Sequence, residues 1–252
     1  MNFILFDGAF RNNLLPFTYT RPVADIRFGI LTIREKWEIV LETTTTTVTE
    51  DYLSDKYPMV EMPNNIMINA SFCPHDSLIN LINKLEPNQA IFSGENILAF
   101  YVMESQEVVN FDDFDIIDFT LETLYIEHTW DIFSKNGVAI EQDFELLTKG
   151  KQSGKISKTV NIINPKSVFI EKGAQIEYAT LNASSGPIYI GKDAIIMEGS
   201  LVRGPLALCE KAVLKMGAKI YGPTTIGPHC KVGGELTNTV LFGYSNKGHD
   251  GF

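Results

Sequence analysis

Residues 190–232 read IGKDAIIMEGSLVRGPLALCEKAVLKMGAKIYGPTTIGPHCKV. Ile190, Ile196, Val202, Leu208, Leu214, Ile220, Ile226 and Val232 stand six residues apart, eight times in succession. Isoleucine, leucine and valine make up about a quarter of the chain. Eight such matches by chance come to on the order of 10⁻⁵ per starting position. A helix repeats every 3.6 residues and a strand every two, so neither explains a period of six. A small residue often follows four positions after each aliphatic: Ala194, Ser200, Ala212, Ala218, Thr224 and Cys230. One aliphatic per hexad is the signature of a parallel β-helix of hexapeptide repeats. Each hexad supplies a short strand and a corner, three hexads make a triangular coil, and coils stack at the usual strand spacing of about 4.8 Å. The aliphatic fills the interior, the small residue fits the corner, and Gly191 and Gly227 are expected to permit the turn. Ile170 and Ile176 continue the series upstream. The step from Ile176 to Ile190 is longer than two hexads, which predicts an outward loop at NASSGP (182–187).

Before residue 156 the texture differs and reads as mixed α/β. NFILF (2–6) and NIMINA (65–70) are buried-strand patterns; residues 29–42 and HDSLINLINKLEP (75–87) are helical ones. AIFS and ILAFYVM, split by GEN, predict a hairpin. LETTTTTVTED (41–51) is β-prone but polar, which suits a surface strand or loop, and its threonine run shows no catalytic pattern. TWDIFSKNGVAIEQDFELLTKG (129–150) reads as one or two helices broken at Asn136–Gly137. The lysine- and glycine-rich stretch KGKQSGK (149–155) places a domain boundary near 150, giving domains 1–150 and 151–252.

With 44% hydrophobic and 21% charged residues the chain has ample material for a core. Its net charge of −10 argues against non-specific binding to nucleic acid or anionic membrane. A local basic pocket for a phosphorylated small molecule remains compatible with it. Three scattered cysteines give neither metal-ligand spacing nor a disulfide framework and point to a reducing cytoplasm. MNFILF is interrupted too soon by Asp7 to be a signal segment, and no apolar run approaches the ~20 residues of a membrane span.

The repeat resembles the left-handed β-helix of the hexapeptide acyltransferases, which implies a homotrimer. VGGELTNTVLFGYSNKGHDGF (232–252) resembles the acetyltransferase domain of the bifunctional glucosamine-1-phosphate acetyltransferase/N-acetylglucosamine-1-phosphate uridyltransferases (GlmU-like). That resemblance puts His249, after Gly248, at the catalytic base, and Lys219 near a residue that holds the sugar phosphate. Histidine suits the role, since a base near neutral pH takes the proton of a sugar amine as it attacks the acetyl-CoA thioester. Thr237 stands where the family has a second phosphate-binding lysine, and Phe252 where it has a tyrosine. The coils that would line the CoA pocket are expected beyond residue 252, so the sequence reads as part of a longer protein.

FDGAFRNNLLPFTYTRPVADIR (6–27) resembles the phosphate loop of sugar nucleotidyltransferases, with Leu15-Pro16-Phe17-Thr18 and Arg21-Pro22 matching its later part. The glycine-rich portion is reduced to Asp7-Gly8-Ala9-Phe10-Arg11. In INASFCP (68–74), Asn69-Ala70 stands in the place of a metal-binding Gly-Asp. The implied fold is a Rossmann-like α/β nucleotidyltransferase domain followed by a left-handed parallel β-helix. Gly8, Arg11, Arg21 and Arg27 would hold nucleotide phosphates, and Asp7 would be the nearest carboxylate for Mg²⁺. Guanidinium clusters after a first strand suit charge build-up at a transferring phosphoryl group. Substrates would be a nucleoside triphosphate and a sugar phosphate, with acetyl-CoA as co-substrate of the second domain. The residues leave open a non-catalytic alternative: a sugar-nucleotide-binding module with a trimerising β-helix. His75 reads as a helix N-terminal residue, His128 as structural, and Asp112, Asp113 and Asp115 as an acidic loop leading into a strand.

Overall fold

The computed structural model describes residues 1–104 and 109–251. The chain divides into two compact units, Met1–Ile26 with Thr32–Thr129, and Arg27–Leu31 with Trp130–Phe252.

The first unit is built on a six-stranded mixed sheet. Its strands are β1 (Asn2–Phe6), β2 (Thr46–Val48), β3 (Asn64–Asn69), β4 (Gln89–Ser93), β5 (Asn96–Met103) and β6 (Asp115–Asp118), in the order β2-β1-β3-β5-β4-β6. β1 runs parallel to both β2 and β3, with Phe6 opposite Val48 and Asn69. Three carboxyl ends therefore open side by side. The expected hairpin is β4–β5, antiparallel. The acidic loop does lead into a strand, β6, which pairs with β4.

Both faces of this sheet are covered, which explains why β1, β3 and β5 read as nearly continuous apolar runs. Ile4, Met67, Ala90, Phe100 and Val102 form one buried cluster, with Phe111 edge-on to Phe100 at 5.2 Å. The alternate set, Leu5, Ile66, Ile68, Ile91 and Ala99, is equally buried. Helix α1 (Ile33–Leu41) begins at a capping box: the Thr32 hydroxyl accepts from the Glu35 amide, and Glu35 returns the contact to the Thr32 amide. It starts four residues later than the sequence pattern suggests, because residues 27–31 belong to the other unit. Trp37 of α1 is fully buried and its indole donates to the Phe72 carbonyl at 2.9 Å. A single turn, α2 (Asp51–Ser54), follows β2, and α3 (Asp76–Ile82) follows β3. His75 caps α3, its Nδ1 accepting from the Ser77 amide at 3.2 Å.

The second unit is a parallel β-solenoid of about five turns, its strands stacked in three five-stranded sheets. All eight residues of the hexad series are buried, none more than 3% exposed. The small residues four positions later are fully buried too, so each hexad contributes two interior positions. Ile170, Ile190, Leu208, Ile226 and Leu241 stack in register along one sheet. The step around NASSGP falls between strands Thr180–Asn182 and Ile188–Ile190, where Ser184 and Ser185 are exposed. The last coil is tighter than the period requires: Leu236 follows Val232 by four residues and pairs with Ile220. Lys247 then stands in register with Val232, its ammonium donating to the Gly233 and His249 carbonyls. Gly191 is needed for close approach rather than for an unusual backbone angle. A Cβ there would lie 2.8 Å from the Cys209 carbonyl carbon of the next coil.

Two helices precede the coils, α4 (Asp131–Ser134) and α5 (Asn136–Thr148), separated at Lys135. Ile140, Phe144 and Leu147 of α5, with Ile30 and Leu31, pack on Tyr189, Ala207 and Cys209 of the solenoid's outer surface. Asp143 accepts from the Ile30 and Leu31 amides at 2.8 and 3.1 Å. Thr225 donates to the Gly29 carbonyl at 2.9 Å. The compact units thus divide at 129–130, ahead of the change in texture near 150. Among the described residues no helix is long and apolar enough to cross a membrane.

Candidate functional site

The chain leaves β1 at Asp7-Gly8 and enters a 3-10 helix, Ala9–Leu14. Beside it, the chain leaves β2 through Thr49 and Glu50 into α2, and the Asp7 amide donates to the Val48 carbonyl at 3.0 Å. Between these strand ends lies a cavity of about 360 Å³, bounded by Asp7, Gly8, Arg11 and Asn12 on one side and Thr49–Asp51 on the other. The carboxyl ends of parallel strands are where open α/β sheets take ligands.

Asp7 is the hub of this cavity. Its Oδ1 accepts from the Val23 amide at 2.7 Å, and its Oδ2 from the Thr49 hydroxyl at 2.7 Å and Arg11 Nε at 3.0 Å. Burial pushes the carboxyl above its usual value, while Thr49, Val23 and the Arg11 charge pull it back. Arg11 carries the network on: Nη2 donates to the Thr18 carbonyl at 2.7 Å and to the Tyr52 hydroxyl at 3.0 Å, and Nη1 stands 3.7 Å from Glu50. Thr18, fully buried, donates back to the Arg11 carbonyl at 3.0 Å. Gly8 packs directly on β3, where a Cβ would lie 2.6 Å from Asn69 Nδ2. Asn69 itself donates to the Ile97 carbonyl at 2.9 Å and accepts from the Ser71 amide at 3.0 Å.

Of the residues expected to bind phosphate, the structure brings Gly8 and Arg11 together, beside Asp7, the carboxylate expected for Mg²⁺. Arg21 is half-buried and does not line this cavity. Arg27 belongs to the second unit and is buried there, donating to the Phe242 carbonyl at 3.0 Å and to the Ile30 carbonyl. The three arginines are therefore divided between the units, Arg11 and Arg21 in the first and Arg27 in the second. Their closeness in sequence misleads because the chain crosses from one unit to the other between Ile26 and Arg27.

The Mg²⁺ expectation meets a poor donor set. Asp7 has three protein donors on its two oxygens, the side-chain amide of Asn69 is engaged with backbone, and among the described residues no group of three or more His, Cys, Asp or Glu could hold a metal. The residues present do not fit a divalent cation at Asp7.

On the solenoid, Lys219 lies on an outward face and lines a second, smaller groove of about 220 Å³ with Thr180, Asn182, Leu201, Arg203 and Tyr221. His249 does not line that groove; it is exposed, and its backbone lies over Gly234, whose carbonyl accepts from the Lys219 amide at 2.9 Å. Its Nδ1 is 2.8 Å from the Asp250 carbonyl. A carbonyl only accepts, so Nδ1 carries the proton of the neutral ring and Nε2 keeps its lone pair. Phe252, the position of the family's tyrosine, lies outside the described residues.

Thr49, Glu50, Asp51 and Tyr52 escaped the sequence reading because the run before them looked like polar surface. Arg203 and Tyr221 could have been found, since each follows an interior aliphatic (Val202, Ile220) and so faces outward.

The family model of the sugar nucleotidyl transferases matches residues 3–152. The chain belongs to the sugar nucleotidyl transferase family. The matched segment contains the six-stranded sheet, save Asn2 at its start, and the cavity at its strand ends. No match is found among curated proteins.

Proposed function

We propose that the first unit recognises a nucleoside phosphate and a sugar phosphate at the carboxyl ends of β1 and β2, and works in sugar-nucleotide metabolism by nucleotidyl transfer. The family match over residues 3–152 carries this reading. In such a transfer a sugar-phosphate oxygen attacks the α-phosphorus in line and pyrophosphate leaves. The protein supplies position and charge. Arg21 is the residue assigned to the phosphates on its Thr20-Arg21-Pro22 context, the best-matched piece of the family's loop, from a position beside the cavity lining rather than in it. Calorimetric titration with UTP, dTTP and a UDP-sugar tests it. Binding that disappears in Arg21→Ala is expected; no binding of any of the three by the wild-type chain refutes it.

A second reading, a binding module without transfer, is favoured by the committed carboxylate of Asp7 and by the neutral amide of Asn69 where a metal-binding aspartate is expected. A bound nucleotide with no pyrophosphate released on adding sugar 1-phosphates would select it.

The finer GlmU-like resemblance extends the proposal to the solenoid: a homotrimer in which His249, with Nε2 open, takes the proton of an amino-sugar phosphate during acetyl transfer from acetyl-CoA, with Lys219 holding the phosphate. His249→Ala should lower that transfer by the ~10²–10⁴ of a lost general base. Unchanged acetylation in His249→Ala would end this part of the reading.

A further inference from the structure

Asp7 stands where four stretches of chain meet. Its own turn, the Val23 amide and the Thr49 hydroxyl come together on one carboxylate, and Arg11 extends the junction to Thr18 and Tyr52. A carboxylate offers about four acceptor positions, and protein donors occupy three of them. The side chain is 4% exposed, and that of Arg11 is 9% exposed. A cation approaching Oδ2 would meet Arg11 Nε, 3.0 Å away, which already supplies positive charge there. Mg²⁺ also demands near-ideal octahedral geometry, and a carboxylate with three acceptor positions already filled has one left to offer it.

We propose that Asp7 is a positioning residue: acting through Arg11, Val23 and Thr49 it fixes the walls of the strand-end cavity, and it is not the carboxylate of a divalent-cation site. The two parts make separate demands. A positioning carboxylate must be coupled to the hydroxyl of Thr49 and to the order of all the segments it joins. A metal carboxylate must be coupled to the ion.

The experiment uses the full chain. Mn²⁺ alone, followed by paramagnetic resonance, should give no binding that depends on Asp7. Hydrogen exchange should show amides in residues 8–15, 23–25 and 49–52 exchanging faster together in Asp7→Asn, by about tenfold or more, as expected when a buried charge-assisted network is opened. Thr49→Val should reproduce that pattern and Thr49→Ser, which keeps the hydroxyl, should restore wild-type exchange; this pair carries the test if Asp7→Asn fails to fold. Mn²⁺ bound by the wild type and lost in Asp7→Asn, or Thr49→Val exchanging like wild type, overturns the proposal. Where the wild type binds a nucleotide, Asp7→Asn should weaken it by the same factor in Mg²⁺ and in chelator; a loss confined to Mg²⁺ also overturns it. Failure of the wild type to bind any nucleotide would refute the nucleotide reading and leave the manganese and exchange results to decide this one.

Discussion

Leu214 and Leu201 are the same residue type on two sheets of the same solenoid, one facing in and one facing out, and that contrast gives a quantitative test of it. Leu214 is fully buried, in register between Ile196 and Val232. Leu201 is 53% exposed. Replacing a buried leucine by alanine costs about 2–5 kcal/mol, the upper end applying where the surroundings cannot collapse into the space. Here they are held apart by coil-to-coil hydrogen bonds, such as Met197 N to the Leu214 carbonyl at 3.0 Å and Lys215 N to the Val232 carbonyl at 2.7 Å. Leu214→Ala should therefore lose about 3–5 kcal/mol. At about 2–4 °C per kcal/mol for a chain of this size, Tm falls by about 6–20 °C. Leu201→Ala should stay within about 0.5 kcal/mol of wild type, as surface substitutions do. Urea unfolding followed by circular dichroism, with the slope checked for constancy, measures both. Equal losses in the two variants, or a Leu214→Ala protein within about 1 kcal/mol of wild type, would refute the inward and outward assignment.

Removing the Asp143 carboxylate should release residues 27–31. Asp143→Ala leaves the buried Ile30 amide and the half-buried Leu31 amide without their acceptor, at a cost of about 2–4 kcal/mol. Trypsin should then cut after Arg27 faster than in wild type, and equal cutting rates would count against the hold of Asp143 on residues 27–31. Glu177 predicts a pH effect: hydrogen bonds from Thr159 and Ser157 hold its carboxyl below the usual value. A lowered folded value adds stability above the unfolded carboxyl's pKa, and that stability is lost as pH falls through the folded one. In an NMR titration the Thr159→Val, Ser157→Ala variant should return Glu177 to the ordinary carboxylate range, and an unmoved midpoint would disprove the contact.

The solenoid was legible because its constraint is local and repeated: every hexad must offer Ile196 or Leu214 to the same interior, so the order of residues carries the architecture. The sheet of the first unit was legible only strand by strand. That β2 lies parallel beside β1 is a long-range fact, and Thr45 and Thr47, both buried, look like surface residues in a threonine run. Arg27 shows the same limit. Its six-residue distance from Arg21 says nothing about the unit it joins, and its acceptor at Phe242 is 215 residues away. The Asp7 hub was half-visible: the carboxylate after β1 invited a metal, but Val23 and Thr49, which fill its oxygens, cannot be paired with it by spacing.

The Arg27 contact also sets a clock on synthesis. Its partner carbonyl, Phe242, is made 215 residues later, which at about 5–20 residues per second is roughly 10–40 s. For most of that interval residues 27–31 exist without the coils they pack against. The family-matched strands on either side can pair meanwhile, so the nascent chain must carry this short apolar loop without its Asp143 acceptor for 113 residues after Ile30, and without the Phe242 contact until the last coils emerge. A substitution that makes the loop stickier would harm yield on the ribosome before it altered anything in the finished protein.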